Sequence, residues 1–146
     1  MARILSTEDG NTNVTSITVA RQKVFSDIDL SFENKSAGDI FKKTDAASVK
    51  QSVLNIVSTN KLEKPFESDY GANLRALLFE GAHGTLGYEI KKEIRSVIYV
   101  YEPRAEIDDI QVRLMADNNS LHVTLTFRVV NQPEIQTVTT YVSRLR

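Results

Sequence analysis

The sequence predicts an α+β domain in which three helices pack on a C-terminal antiparallel β-sheet. Apolar residues recur at steps of three and four as far as Tyr101, and at every second position beyond Pro103. Helices therefore come first and a half-buried sheet follows, which is the order of an α+β fold and not of alternating βα units.

Residues 1–24 are rich in Ser, Thr and Asn and alternate only at Ile17 and Val19, so they read as an N-terminal extension with room for one short strand. Residues 25–146 read as a single domain. A first helix is expected from Asp45, with Ala46, Val49, Val53, Ile56 and Val57 on one stripe and Lys50, Gln51, Asn55 and Ser58 on the other. The Asp45 carboxylate is placed to accept from the free amides of the first turn. Pro65-Phe66 reads as an extended linker, and a short second helix from Gly71 to Glu80 would bury Leu74, Leu77 and Leu78. The third helix carries Leu86, Ile90, Ile94, Val97, Ile98 and Tyr101 on one face, and Pro103 stops it by forcing the preceding residue out of helical geometry.

Beyond the proline, Ile110, Val112 and Leu114 form one alternating run and Leu121 to Val129 a second, with Asp117-Asn118-Asn119-Ser120 as the turn between them. Ile135 to Val142 gives a third strand. It carries Thr and Val on both alternations, so its register is weakly specified from within and a neighbour's strand would be free to pair with it.

A chain of 146 residues can bury a core without covalent help, and the absence of cysteine excludes disulfides, thiolate nucleophiles and Cys-based metal sites. With 18 basic and 19 acidic residues, no overall field draws the chain to nucleic acid or to an anionic membrane. The start lacks the apolar core of a signal peptide, and the longest apolar run, near Val97 to Tyr101, is far short of the roughly 20 residues of a membrane span. The expected place of work is the cytoplasm or a particle assembled there.

Motifs for chemistry are weak. His83 and His122 stand far apart without ligand spacing, and His122 alternates with the apolar face of its strand, so it should face solvent. Gly81, Gly84 and Gly87 precede a helix, but the lysine and hydroxyl of a phosphate-binding loop are missing, and a helix-helix connection explains the same glycines. A glycosidase needs two carboxylates in contrasting environments; the cluster Glu106, Asp108, Asp109 most simply forms the polar edge of a strand. No catalytic residue, metal ligand, cofactor or small-molecule substrate is expected. Glu102-Pro103-Arg104 differs: an extended chain around a rigid ring would put one negative and one positive group on the same side, able to set a partner's register. Read alone, it is a helix stop with solvated charges, which contribute little to folding.

Several segments, taken in order, resemble the small baseplate wedge family of contractile phage tails, whose relatives include the sheath initiator of type VI secretion baseplates. They are Phe25-Ser26-Asp27-Ile28-Asp29, Val49-Lys50-Gln51-Ser52-Val53, Lys64-Pro65-Phe66, Tyr70-Gly71, Leu77-Leu78-Phe79-Glu80 and Tyr101-Glu102-Pro103-Arg104. The extension at the N-terminus and Lys64, where many members carry arginine, are departures. The resemblance implies a structural subunit of the virion, not an enzyme, that binds a core bundle of larger wedge subunits and seeds the tail sheath. It implies partner contacts at Glu102, Pro103 and Arg104 and at Leu78, Phe79 and Glu80. The family has also been described as lysozyme-like, and some relatives resemble adaptors that bind a soluble regulator; these are the alternative readings.

Overall fold

The computed structural model describes residues 25–31, 40–79, 84–115 and 120–143. The expected extension over residues 1–24 lies outside them, as do Glu80, Gly81, His83 and the turn residues 117–119. The described chain runs β1 (Ser26–Ile28), β2 (Lys42–Thr44), α1 (Ala46–Ser58), α2 (Leu74–Phe79), α3 (Leu86–Tyr101), β3 (Ala105–Met115), β4 (Ser120–Val129) and β5 (Ile135–Ser143). Three helices and a C-terminal antiparallel sheet are present, so the α+β class holds.

The sheet has the order β3-β4-β5 with both pairs antiparallel. β4 is central, and its alternating Leu121, Val123, Leu125, Phe127 and Val129 are all buried. This side of the sheet faces the helices, with α3 against β3 and α1 against β5. His122 lies on the opposite alternation, half-buried between Arg113 and Tyr141 of the flanking strands. Along α3, Leu86, Ile90, Ile94, Val97 and Ile98 are buried. Ile94 is fully enclosed, so Ile94→Ala should lower stability by about 2 to 5 kcal/mol, read as a shift of the denaturation midpoint.

β3 begins five residues earlier than the alternation suggests. Ile107 pairs with Phe127 and Asp109 with Thr126, so Asp108 is an extra residue, a β-bulge. The bulge changes the parity of the inward positions from Ala105 and Ile107 to Ile110 and Val112, which breaks the period-2 signal at that point. β5 pairs with β4 along its whole length, from Ser120 opposite Ser143 to Arg128 opposite Ile135. Buried Val138 and Val142, opposite Leu125 and Leu121, fix the register that the sequence leaves open.

The helical half differs from expectation in three places. α2 starts at Leu74, not Gly71, because Gly71 and Asn73 both have positive φ and cannot continue a right-handed helix. Asp45 precedes α1, but its carboxylate makes no capping bond and instead accepts from the Phe25 N–H at 3.3 Å. Together with the Asp45 N–H donating to the Phe25 carbonyl, this extends the small β1–β2 ladder, which the sequence pattern does not reveal. Gln51, expected on the polar face of α1, is buried, because its amide donates to the Ile28 carbonyl at 2.8 Å and accepts from the Leu30 N–H, clipping the end of β1 onto the helix.

Candidate functional site

Glu102-Pro103-Arg104 forms the corner between α3 and β3. The Glu102 N–H still donates to the Ile98 carbonyl at 2.8 Å as the last helical bond. Glu102 then leaves helical geometry, with φ −134° and ψ 68°, as a residue before proline must. The Ala105 N–H donates back to the Glu102 carbonyl at 3.0 Å and the Val130 N–H to the Arg104 carbonyl at 2.9 Å, which pins the corner to the end of β4.

The expectation of solvated charges is overturned here. Glu102 is only 2% exposed, and the Arg104 guanidinium closes on its carboxylate through two bonds, Nε–Oε1 at 2.5 Å and a second to Oε2 at 2.7 Å. The physical reason is the turn itself, which directs the Glu102 side chain inward, where the Ser52 side chain of α1 also hydrogen-bonds it. Burial alone would push the Glu102 carboxyl upward. The bonds from Arg104 and Ser52, with the guanidinium charge, outweigh that and hold it below the ordinary glutamate value. Arg104 is itself stabilised as a cation, first by Glu102 and more weakly by the field of Asp27. Its guanidinium lies 5.0 Å from the centre of the Phe25 ring, so the cation is held between a carboxylate and an aromatic face.

A second set of side chains continues from this corner. Tyr101 meets Tyr70 edge to face, with ring centres 5.1 Å apart and planes at 71°. Lys64 places its ammonium 4.2 Å from the Tyr70 ring centre while pairing with Glu67 at 2.5 Å. Burial, and then the nearby Glu67 and Glu102 carboxylates, raise the Tyr70 hydroxyl above its usual range against the opposing pull of Lys64. Phe25, Ser52 and the loop carrying Lys64 and Tyr70 thus converge on the corner around Glu102 and Arg104 from three separate stretches of chain. Sequence spacing alone carries no signal for such contacts; only the family pattern contains all of these positions.

The second expected contact set is not part of this cluster. Leu78 is half-buried against the core and Phe79 is half-exposed at the end of α2. On the solvent side of the corner, Pro103 is exposed and lines a groove of about 660 Å³ with Tyr99 and Val100 of α3 and Glu106 and Ile107 of β3. Tyr99 and Val100 are both largely exposed.

Among the described residues there is no group of three or more His, Asp or Glu able to hold a metal ion, and no helix long and apolar enough to cross a membrane. Asp108 is paired with the Arg128 guanidinium, the shortest contact being 2.6 Å, and Asp109 accepts from the Ile110 N–H and the Gln111 amide. Among the described carboxylates with displaced titration, Asp29, Glu63 and Glu102 all move downward, Asp29 to about 2 chiefly through Lys43.

This fold is one used by small subunits of contractile injection machines. It is shared with a chain of the anti-feeding prophage baseplate (TM-score 0.57, 16% identity, 84% of this chain and 87% of that one). It is shared also with a chain of the postcontracted pyocin R2 baseplate (TM-score 0.52, 17% identity, 82% and 99%). A crystal structure described as a candidate tail lysozyme of Geobacter sulfurreducens matches as well (TM-score 0.59, 18% identity, 67% and 89%).

The chain belongs to the family of the baseplate wedge protein gp25, whose model matches residues 43–134. It is 30% identical over 112 residues to the baseplate wedge protein gp25 of Enterobacteria phage T4, spanning 77% of this chain and 85% of that protein. It is a structural subunit of a contractile-tail baseplate wedge, a component of the virion.

Proposed function

We propose that this wedge subunit docks on a core bundle of larger wedge subunits through the Glu102-Pro103-Arg104 corner. The carrying observation is the division of labour within the corner. The buried Glu102 carboxylate fixes its geometry, while Pro103, the accessible edge of Arg104 and the adjoining groove remain open to a partner. A groove that sets Tyr99, Val100, Pro103 and Ile107 among the charges of Arg95 and Glu106 suits a helical partner bearing both apolar and charged side chains. Leu78, Phe79 and Glu80 form a second proposed contact, of which the exposed Phe79 ring is the natural anchor. Coexpression with the larger wedge subunits tests this. The native chain should copurify with them, whereas recovery of the folded chain alone would count against docking.

The same reading extends to the tail sheath. β3 and β5 are the outer strands of the sheet, and a sheath strand added to either would gain main-chain hydrogen bonds without a dedicated pocket.

A purely structural role fits the carboxylates. Glycoside hydrolysis needs one acid with raised pKa beside an ionised partner, whereas Asp108 and Asp109 are bonded to a cation and to amides, and Glu102 is held below the ordinary glutamate value by Arg104 and Ser52. The purified chain should therefore release no fragments from peptidoglycan above background. Release that is abolished by a single Glu or Asp substitution would establish a hydrolase instead.

A further inference from the structure

The segment between α1 and α2, expected to be an extended linker, is two successive tight turns. Asn60-Lys61-Leu62-Glu63 is closed by the Glu63 N–H donating to the Asn60 carbonyl at 3.3 Å. Lys64-Pro65-Phe66-Glu67 is closed in the same way at 3.4 Å. In each turn the third residue has positive φ, 70° at Leu62 and 68° at Phe66. With proline second in the latter, this is the pattern of a type II turn, whose third position favours Gly or Asn. Both turns place a large apolar side chain there instead.

Neither side chain is packed away among the described residues. Leu62 is 81% exposed and Phe66 completely so. Yet the turns that present them are clamped. The Glu63 carboxylate accepts from the Asn60 N–H at 2.9 Å and from its side-chain amide at 2.7 Å, and Lys64 pairs with Glu67. The Leu62 N–H donates to the Ser68 carbonyl at 2.9 Å, which ties the two turns together. Backbone strain kept in a rigid loop without internal packing to offset it marks a contact made outside the chain.

We infer that Leu62 and Phe66 are paired anchors that insert into apolar pockets of a neighbouring wedge subunit. The inference rests on the wedge reading and adds a second contact to it. The loop is continuous with the corner, because Lys64, lying between the two anchors, stacks on Tyr70, which packs on Tyr101 beside Glu102. Residues 59–70 carry Glu63, Glu67 and Asp69 against Lys61 and Lys64, so the complementary pocket is apolar with a mildly basic rim. Large side chains already held in place lose little freedom on binding, which is the property of interface hot spots.

The test is the full-length chain with Leu62→Asn and Phe66→Asn together, coexpressed with the larger wedge subunits. Asparagine suits the left-handed position but removes the apolar anchors. The denaturation midpoint should be unchanged or higher, while recovery in the wedge complex falls about tenfold or more. Undiminished recovery would overturn the inference and leave the wedge reading intact. A lowered midpoint would overturn it by showing that the side chains support the fold. A native chain that forms a homodimer lost in the variant would overturn it by placing the anchors in self-contact. Failure of the native chain to enter any wedge complex would remove the wedge reading and this inference together.

Discussion

Replacing Arg104 with alanine should lower folding stability by about 3 to 5 kcal/mol, the cost of leaving a buried charge without its partner. The effect is asymmetric. Glu102 is buried whereas the Arg104 side chain is 36% exposed, so removing the arginine strands an enclosed carboxylate and removing the carboxylate leaves a cation that water still reaches. Glu102→Gln should therefore cost less than Arg104→Ala, and chemical denaturation of the two variants at neutral pH checks the order. Equal, small losses would mean that the pair is solvated in solution.

The pH dependence follows from the same pair. Because the folded Glu102 carboxyl titrates below its unfolded value, its stabilising contribution is complete above about pH 4.3 and is lost as pH falls through the depressed folded value. In the Arg104→Ala protein, burial without the cation raises that carboxyl, so the acid form is the less costly one. The gap between native and variant proteins should narrow from neutral pH toward pH about 3. A gap independent of pH would remove Glu102 as its source.

Gly71→Ala should cost more than about 4 kcal/mol, in the range reserved for specific backbone conflicts. Gly71 has φ +103°, and a Cβ there would stand 2.4 Å from the Thr59 carbonyl oxygen and 2.9 Å from its carbon. Thr59 cannot retreat, since it ends α1 with its N–H and hydroxyl both donating to the Asn55 carbonyl, at 3.0 and 2.7 Å. Nor can Gly71 move away, because the residue after it, Ala72, donates its N–H to the Ile56 carbonyl at 3.1 Å. The damage should extend to the site, because Tyr70 is the neighbour that packs on Tyr101. Gly87→Ala is the control: its Cβ would meet nothing within 4 Å near the start of α3, and no loss is expected. A well-folded Gly71→Ala protein with an unchanged midpoint would show that the loop base is not closed as described.

These effects mark the boundary of what the sequence makes legible. The change of period at Pro103 reports the helix-to-sheet transition because each face of α3 and β4 meets one environment along its whole length. The pattern fails where one residue changes that environment. Asp108 inserts a bulge and hides the first half of β3, while Leu62 and Phe66 occupy left-handed positions that their residue types do not signal. Glu102 reads as a solvated charge because its partners are invisible in the spacing: Ser52 bonds it, and Phe25 faces its partner Arg104, each brought in from a distant segment. The family resemblance names these residues together, but only the fold shows which of them touch.

Intact tails purified from the producing cells, analysed by quantitative mass spectrometry, decide most directly whether this chain is a baseplate wedge subunit. The chain should be present at a fixed ratio to the other wedge subunits and should remain with the baseplate when the sheath is removed. Complete tails, with baseplate and sheath assembled but without this chain, would contradict that role.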